Sequence, residues 1–412
     1  MLISIGKNEY DTSNEKIQSI LQGAYTDKLR PNCLCIATGV PLYIAKINNV
    51  YVLKRMPNTG GSHSPGCVSY EPPHELSGLG EVLGQAIQEN PEDGAVTLKF
   101  DFALTKRGGK APPPASGIES DSVATDGKKL TLRGLLHYLY EQGKLNYWLP
   151  KEKPTNWYLV RKQLLRASSD KTSKRQELSK TLYIPETYNL DIKRDIQARR
   201  SEQLSPLNAV GGSQNLMIVI GEVKSIEKAR YDYKLIAKHC PDYHFFMNED
   251  VHKRINKRFI KEFELWNMYG DQCHLLFICT ILKTASDLPL IQEISVMLVN
   301  KHWIPFESKY EYEVIEELME NKRQFIKGLR YNLPTNKPLA SIVVVDTKPK
   351  PTAMYIIPSS ESEQYEQSIE LMIEESDYAS WKWQVGQGMP NLPNKELAVN
   401  SIDKELMVES DH

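Results

Sequence analysis

Three cysteines and one histidine near the N-terminus have the residue types and the spacing of a metal site. Cys33 and Cys35 form a C-x-C pair, and His63 and Cys67 form an H-x3-C pair 27 residues further along the chain. Thiolate sulfur and imidazole nitrogen are the usual ligands of tetrahedral structural zinc. The four side chains therefore predict a structural Zn²⁺ site whose coordination positions are all filled by protein.

The segment between the two pairs predicts how they meet. Residues 42–47 and 50–54 are rich in β-branched and aromatic side chains, and two asparagines between them suit a tight turn. A β-hairpin returns the chain to its start, so it would bring the second ligand pair beside the first. In layout this resembles SWIM-type zinc fingers, whose second pair runs C-x-H. His74 is an alternative ligand to His63, and buried free thiols are the alternative to a metal site.

The composition indicates a protein of more than one domain. The chain has 412 residues, 41% of them hydrophobic, which is enough for two or three cores. The longest apolar runs, such as residues 275–282, are far shorter than the roughly 20 residues of a membrane-spanning helix. The first residues have no signal-peptide pattern. We therefore expect a cytoplasmic protein with no membrane partner, in which Cys240, Cys273 and Cys279 are buried thiols.

Positive charge is concentrated in the middle of the chain, although the net charge is only −1. Residues 151–175 contain eight Lys or Arg against two acids. The pattern predicts a helix over 132–142 with Thr131 as its N-cap and a basic helix over 157–167, followed by the stretch TLYI at 181–184. This order is compatible with a winged helix-turn-helix. The candidate phosphate contacts are its basic side chains: Arg161, Lys162, Arg166, Lys174 and Arg175.

Beyond residue 215 the pattern mixes strands and helices, which predicts a mixed α/β domain. Apolar residues at helical spacing from Val251 to Trp266 predict one long helix, and residues 79–87 predict a shorter one. The expected fold class is α+β and multidomain. We expect a zinc-hairpin domain over 1–105, a linker over 106–129, a basic helical region over 130–204, the C-terminal α/β domain over 215–390 and an acidic tail over 391–412.

Several longer segments of the sequence are specific enough to indicate a protein family. Residues 63–73 read HSPGCVSYEPP, residues 130–139 read LTLRGLLHYL, and residues 327–334 read KGLRYNLP. In these strings, and over most of its length, the chain resembles the bacterial domain-of-unknown-function family 1173. The resemblance implies a genetic setting on conjugative plasmids and integrative elements, and it implies no particular activity.

The last third is also similar in its order of elements to PD-(D/E)xK nucleases. Glu307 and Glu311 lie at the start of a predicted helix, and Asp346 ends an apolar strand. Enzymes of that type hold Mg²⁺ with such carboxylates. The following strand, 353–357, lacks the acid and lysine of their motif, so a nuclease-like domain here would be degenerate. Glu222 and Lys224 have the E-x-K form at the end of another apolar strand.

These observations give one leading hypothesis and two alternatives. The leading hypothesis is a zinc-containing nucleic-acid-binding accessory factor of a mobile element, with DNA as its partner. The first alternative is a metal-dependent nuclease that uses Asp346 with Glu307 or Glu311. The second is a protein-interaction adaptor with partners from the same element. The sequence contains neither a P-loop nor a dinucleotide-binding fingerprint, so neither nucleotide chemistry has support.

Overall fold

The computed structural model describes residues 1–47, 49–90, 95–107, 127–150, 155–208, 213–359 and 362–395. Over these ranges the protein is α+β, with several sheets and with helices between and beside them. None of the helices in these ranges is long and apolar enough to cross a membrane. Most of the predicted linker and most of the predicted acidic tail lie outside the described residues.

The N-terminal sheet carries the predicted hairpin. Its strands are ordered β2-β1-β3-β4-β5, and its elements are β1 (Leu2–Ile5), β2 (Asn8–Asp11), α1 (Ile17–Thr26), β3 (Asn32–Cys33), β4 (Val40–Ile47) and β5 (Val50–Arg55). β4 and β5 pair antiparallel from Leu42 opposite Arg55 to Ile47 opposite Val50, which confirms the hairpin. Asn49 in the turn has φ of +66°, a left-handed conformation that asparagine tolerates.

Residues 78–90 and 95–107 form irregular structure and short strands: β6 (Ile87–Glu89), β7 (Val96–Leu98) and β8 (Thr105–Arg107). The helix predicted over 79–87 is wrong, because only a 3₁₀ turn forms at Gly78–Glu81 before the chain enters β6. Gly84, at φ of +77°, leaves the helical region of backbone space and ends the pattern.

The middle of the chain contains both predicted helices. Its elements are α2 (Leu132–Gln142), β9 (Tyr147–Trp148), α3 (Trp157–Ser168), β10 (Lys171–Ser173), β11 (Gln176–Glu177), α4 (Leu178–Thr181), β12 (Leu182–Tyr183) and α5 (Lys193–Gln203). Thr131 caps α2 as predicted, because its Oγ1 accepts a bond of 3.0 Å from the amide of Gly134. β10 and β11 form a hairpin that joins β7 and β6 in one sheet.

The largest sheet follows, with strands ordered β12-β14-β15-β16-β18-β17. β14 pairs with β17 as well as with β15, so strands β14 to β18 close into a ring. The elements of this part are β13 (Ser213–Asn215), β14 (Met217–Lys228), β15 (Tyr233–Ala237), β16 (Cys240–Met247), α6 (Glu249–Arg258), α7 (Ile260–Tyr269), β17 (Cys273–Lys283) and β18 (Pro289–Asn300).

The remaining elements complete a further sheet ordered β22-β21-β20-β19-β9. They are α8 (Lys309–Glu320), β19 (Phe325–Lys327), β20 (Ile342–Val344), β21 (Thr352–Ile357), α9 (Glu363–Glu375) and β22 (Ala379–Gln384). β9 comes from the region predicted as basic and helical, and it pairs with β19 of the predicted C-terminal domain.

The long helix predicted from Val251 to Trp266 is two helices, α6 and α7. The break is at Phe259, whose φ of −114° and ψ of 31° are not helical. Val251, Ile255 and Phe259 nevertheless lie buried in one core, as the spacing predicted. The periodicity therefore identified the buried face but not the interruption.

The central strands are buried on both faces, which explains their continuous apolar sequence. Along β14, Met217 and Val219 pack into one core, whereas Ile218 and Ile220 pack into another. The second core also contains residues of α2 and α3, including Leu135. α2 is thus packed directly on β17 and β18 of the central sheet, and the basic helix α3 packs on α2.

The loop between β19 and β20 is held by one face of α2. Arg133 Nε donates to the carbonyl of Tyr331 at 3.0 Å, and the amide of Tyr331 donates to His137 Nδ1 at 2.9 Å. One turn further along α2, Glu141 accepts a hydrogen bond from the Tyr331 hydroxyl. Burial lowers the pKa of His137 to about 3, so its ring is neutral and Nδ1 can accept. The loop and α2 are therefore tied together.

Candidate metal centre

The four predicted ligands meet at the open end of the β4–β5 hairpin. Cys33 ends β3, and Cys35 follows two residues later. After β5 a 3₁₀ turn at Gly60–Ser62 delivers His63, and the amide of Cys67 donates to the carbonyl of Ser64 at 2.8 Å. Gly60 is required at this turn, since a Cβ there would lie 2.7 Å from the Cβ of Glu71.

The distances between the ligand atoms fit a single tetrahedral ion. The Sγ atoms of Cys33 and Cys67 are 3.6 Å apart, and His63 Nδ1 lies 3.4 Å from Cys35 Sγ and 3.7 Å from Cys67 Sγ. A zinc ion with bonds of about 2.3 Å to sulfur and 2.0 Å to nitrogen has ligand separations of about 3.5–3.8 Å. All four ligand atoms lie within 4.8 Å of one another. The donor set and its geometry therefore fit Zn²⁺.

The electrostatics of the cluster also favour a cation. A hydrogen bond from Cys33 and the nearby His63 lower the pKa of Cys67 to about 5, although burial opposes this. Burial raises the pKa of Cys35. The amides of Ser64 and Ser69 each point at a sulfur, of Cys35 and Cys67 respectively, at 3.4 Å. Such amide bonds stabilise thiolates, and a divalent ion would balance the charge that three thiolates would bring into this buried space.

His74 lies outside this group. Its side chain is 44% exposed, and its Nε2 is 3.1 Å from Glu75 Oε1. His63 is only 3% exposed, and its Nδ1 faces the thiols. Of the two histidines that the sequence left open, the geometry therefore favours His63.

Comparison with known proteins gives a family and no function. A family model with the description "Protein of unknown function (DUF1173)" matches residues 3–386. The chain belongs to the DUF1173 family. Searches of curated proteins and of solved structures found no match.

In this DUF1173 protein the candidate metal centre is tied to the middle of the chain by ion pairs. Lys54 on β5 is 2.9 Å from Asp170, which directly precedes the β10–β11 hairpin. Glu71, four residues after the last ligand, pairs with Arg55 and lies 3.0 Å from Lys144. Burial alone would raise the pKa of Glu71, but Lys144 and Arg55 lower it to about 2.

The predicted phosphate contacts fall on α3 and on the hairpin after it. Arg166 on α3 is exposed, whereas Arg161 is partly buried and donates through Nε to the carbonyl of Ile184 at 3.0 Å. Lys162 is partly buried on the same helix. Lys174 and Arg175 form the tip of the β10–β11 hairpin, with φ of +48° and +69°, and both are exposed. Positive φ at both turn residues is typical of a type I′ turn.

The three candidate nuclease carboxylates each face a base. Asp346 accepts bonds from Arg323 Nε and Nη2 at 3.0 and 2.8 Å, and from the amide of Gln324. Glu307 Oε2 lies 2.7 Å from Arg330 Nε. Glu311 Oε1 lies 3.2 Å from Lys327 Nζ. Within the described residues, Cys33, Cys35, His63 and Cys67 are the one group of His, Cys, Asp and Glu atoms close enough to share an ion.

Sequence reasoning singled out Glu222 but missed its neighbours. His239 and His274 both lie against the Glu222 carboxylate, although they come from the β15–β16 turn and from β17. No local spacing in the sequence could have indicated this cluster, since its members meet only through strand pairing.

Proposed function

We propose that this DUF1173 protein is a zinc-stabilised nucleic-acid-binding accessory factor that acts on the DNA of a mobile element in the cytoplasm. The observation that carries the proposal is the exposed tip of the β10–β11 hairpin, with Lys174 and Arg175 side by side beyond the basic helix α3. The mobile-element setting rests on the family resemblance.

The order of elements supports a winged-helix mode of binding. α2 packs on the central sheet and α3 packs on α2, and the basic hairpin follows α3 after two residues. In winged helix-turn-helix proteins a helix contacts DNA and a hairpin adds backbone contacts. Arg166, Lys174 and Arg175 would bind phosphates, with Arg161 and Lys162 further back on α3. Such contacts position the protein without reading the base sequence.

Zinc would support this surface indirectly, because it would stabilise the residues that hold the surface in place. The ion would fix the hairpin that carries Lys54, and Lys54 pairs with Asp170 beside the basic hairpin. It would also fix residues 63–71, which place Glu71 between Arg55 and Lys144. We therefore expect metal loss to weaken nucleic-acid binding without removing any phosphate contact.

The test is fluorescence anisotropy with labelled single- and double-stranded DNA at two salt concentrations. A Lys174→Glu, Arg175→Glu double variant should bind more weakly, and the slope of log K against log salt should fall by about 2. Lys7→Glu with Lys28→Glu is the matched control, because both lysines are exposed and lie in the N-terminal sheet and its helix connection. Equal loss in both double variants would contradict the assigned surface.

The same samples test the two alternatives. Cleavage of the DNA with Mn²⁺ that disappears in Asp346→Ala would favour the nuclease, although the pairing of Asp346 with Arg323 gives that reading no support. Absence of binding at low salt, in protein with its full zinc content, would favour the adaptor that binds other proteins.

A further inference from the structure

A second polar centre lies around Glu222, more than 150 residues along the chain from the last zinc ligand. Glu222 is 4% exposed, and its Oε1 accepts bonds from Lys238 Nζ at 2.8 Å and from His274 Nδ1 at 2.7 Å. His239 Nε2 lies 3.3 Å from Oε2. Burial alone would raise the pKa of Glu222, but His239, His274 and Lys238 hold it well below its usual range. The carboxylate is therefore ionised between two imidazoles and an ammonium group.

Strand pairing and backbone bonds build this centre. Glu222 on β14 lies opposite Leu276 on β17, so His274, two residues away, is on the same face of the sheet. The amide of Lys238 donates to the carbonyl of Glu222 at 2.9 Å, which fixes the β15–β16 turn above it. That turn supplies both Lys238 and His239.

Two tryptophans fix the planes of the imidazole rings. His274 stacks on Trp303 with ring centroids 4.2 Å apart, and His239 stacks on Trp157 at 5.0 Å. Both tryptophans are buried, whereas the histidines are 18% and 17% exposed. The two rings are thus rigid on the protein side and reachable from solvent.

The hydrogen bond to Glu222 sets the tautomer of His274. With Nδ1–H directed at the carboxylate, the neutral ring presents Nε2 as a proton acceptor. No described residue bonds that nitrogen or Nδ1 of His239. One imidazole is thereby prepared as a base, and the other can act as an acid in its protonated form.

The surroundings limit the substrate. No Ser, Cys or Tyr of the described residues bonds either imidazole, so the protein offers no nucleophile there. A substrate that carries its own nucleophile next to the reacting bond meets this condition, and RNA does so through its 2′-hydroxyl. Trp157 is also the first residue of α3, so the centre lies at the N-terminal end of the basic helix.

We propose that His274 and His239 cleave RNA bound along α3 by metal-independent transphosphorylation, with Glu222 as a positioning residue. This inference rests on the proposed nucleic-acid binding. His274 Nε2 takes the proton of the 2′-hydroxyl, and the 2′-oxygen forms a bond to phosphorus. The bond from phosphorus to the 5′-oxygen breaks, and the His239 imidazolium gives its Nδ1 proton to that oxygen. The products are a 2′,3′-cyclic phosphate and a 5′-hydroxyl, and Lys238 offsets the phosphate charge.

The experiment uses the full zinc-loaded chain with 5′-labelled single-stranded RNA in EDTA concentrations that leave the measured zinc content unchanged. Binding is measured by anisotropy, and cleavage is measured on a denaturing gel with identification of the cyclic phosphate end. We expect cleavage of RNA but not of the same RNA with 2′-O-methyl groups. His274→Ala and His239→Ala should each lower the rate at least 100-fold with binding unchanged.

His252→Ala is the matched control, because this histidine also stacks on an aromatic ring, that of Tyr233, but lies away from Glu222. It should keep the full rate. Glu222→Gln should lower the rate and shift its pH profile, and Glu222→Asp should restore part of both. RNA that is bound but not cut, or that is cut equally by the histidine variants, overturns this inference alone. RNA that is not bound at low salt, while DNA is bound, also overturns this inference alone. Failure to bind either nucleic acid at low salt overturns the proposed function together with it.

Discussion

The cluster of Cys33, Cys35, His63 and Cys67 and the loop at residues 328–334 both contain buried polar atoms, but they differ in how these atoms are paired. In the loop, Tyr331 has its carbonyl, amide and hydroxyl each bonded to a different residue of α2. In the cluster, three thiols and the His63 Nδ1 face mainly one another, and His63 Nε2 has no hydrogen-bond partner among the described residues. The polar atoms of Tyr331 are satisfied by protein atoms, whereas the four ligand atoms of the cluster lie within 4.8 Å of one another, as the ligands of a single ion would.

This difference is a criterion for the other candidate sites. Buried polar groups that are fully paired stabilise the fold and leave nothing to bind a ligand. Asp346 follows the loop in this respect, because Arg323 and a backbone amide satisfy it. The Glu222 centre lies between the two cases, since Oε1 of its carboxylate accepts two hydrogen bonds whereas Oε2 has no hydrogen-bond partner among the described residues, and its two histidines are partly exposed.

Removal of a zinc ligand should have the largest effect. In Cys33→Ser we expect loss of bound zinc and unfolding of residues 31–70, because structural zinc supplies on the order of 10 kcal/mol of folding free energy. Zinc content by mass spectrometry and hydrogen exchange of the N-terminal sheet are the measurements. Cys273→Ser is the control, since Cys273 is buried but lies outside the cluster. Unchanged zinc content in Cys33→Ser would show that this cluster does not bind the ion, so that it would no longer differ from the loop at residues 328–334 in this respect.

Breaking a matched pair should come next in size. Asp346→Ala leaves Arg323, whose side chain is 3% exposed, without its carboxylate. Loss of one partner of a buried pair costs about 3–5 kcal/mol, which chemical denaturation measures. Asp377→Ala is the control, because Asp377 is 98% exposed and 3.5 Å from Lys350, and we expect a change below about 0.5 kcal/mol. Similar losses of folding free energy in the two variants would show that burial does not determine how much an ion pair contributes to stability.

Sequence and structure agree best where the determinants are local. The hairpin of residues 40–55, the N-cap at Thr131 and the grouping of Cys33, Cys35, His63 and Cys67 all follow from short spacings and turn chemistry. The pairing of Glu141 with Tyr331 joins residues 190 positions apart, and no pattern in the sequence indicates it. Contacts of that kind depend on how sheets stack, which local propensity does not specify. The family assignment was also predictable, because long specific strings carry it.

The pH dependence of stability should come partly from Glu141, whose buried carboxyl accepts a hydrogen bond from the Tyr331 hydroxyl. Burial raises the pKa of Glu141 from 4.5 to about 7 in the folded protein. The folded state therefore binds its proton more tightly, and this contribution to stability is complete below about pH 4.5 and lost as the pH rises through 7. The loss amounts to about 3 kcal/mol.

Glu141→Gln removes this ionisation and keeps an oxygen for the Tyr331 hydroxyl. We expect the variant to gain up to about 3 kcal/mol over the natural protein at pH 8 and much less at pH 5. Urea denaturation at the two pH values is the measurement, with Glu320→Gln at an exposed position of α8 as the control. An equal effect of Glu141→Gln at both pH values would mean that this carboxyl does not titrate between pH 5 and pH 8.

The smallest effect is expected at His74, and it defines the edge of the metal cluster. Because His74 is largely exposed and contacts Glu75, His74→Ala should keep the full zinc content and change stability by less than about 0.5 kcal/mol. His63→Ala should release zinc, since it removes the nitrogen that lies 3.4 Å from Cys35 Sγ. The two alanine variants remove the same chemical group from positions only 11 residues apart. Loss of zinc in His74→Ala and retention of zinc in His63→Ala would show that His74, and not His63, is the fourth ligand. In that case His63 would be a buried polar side chain that binds no ion and whose Nε2 has no hydrogen-bond partner among the described residues.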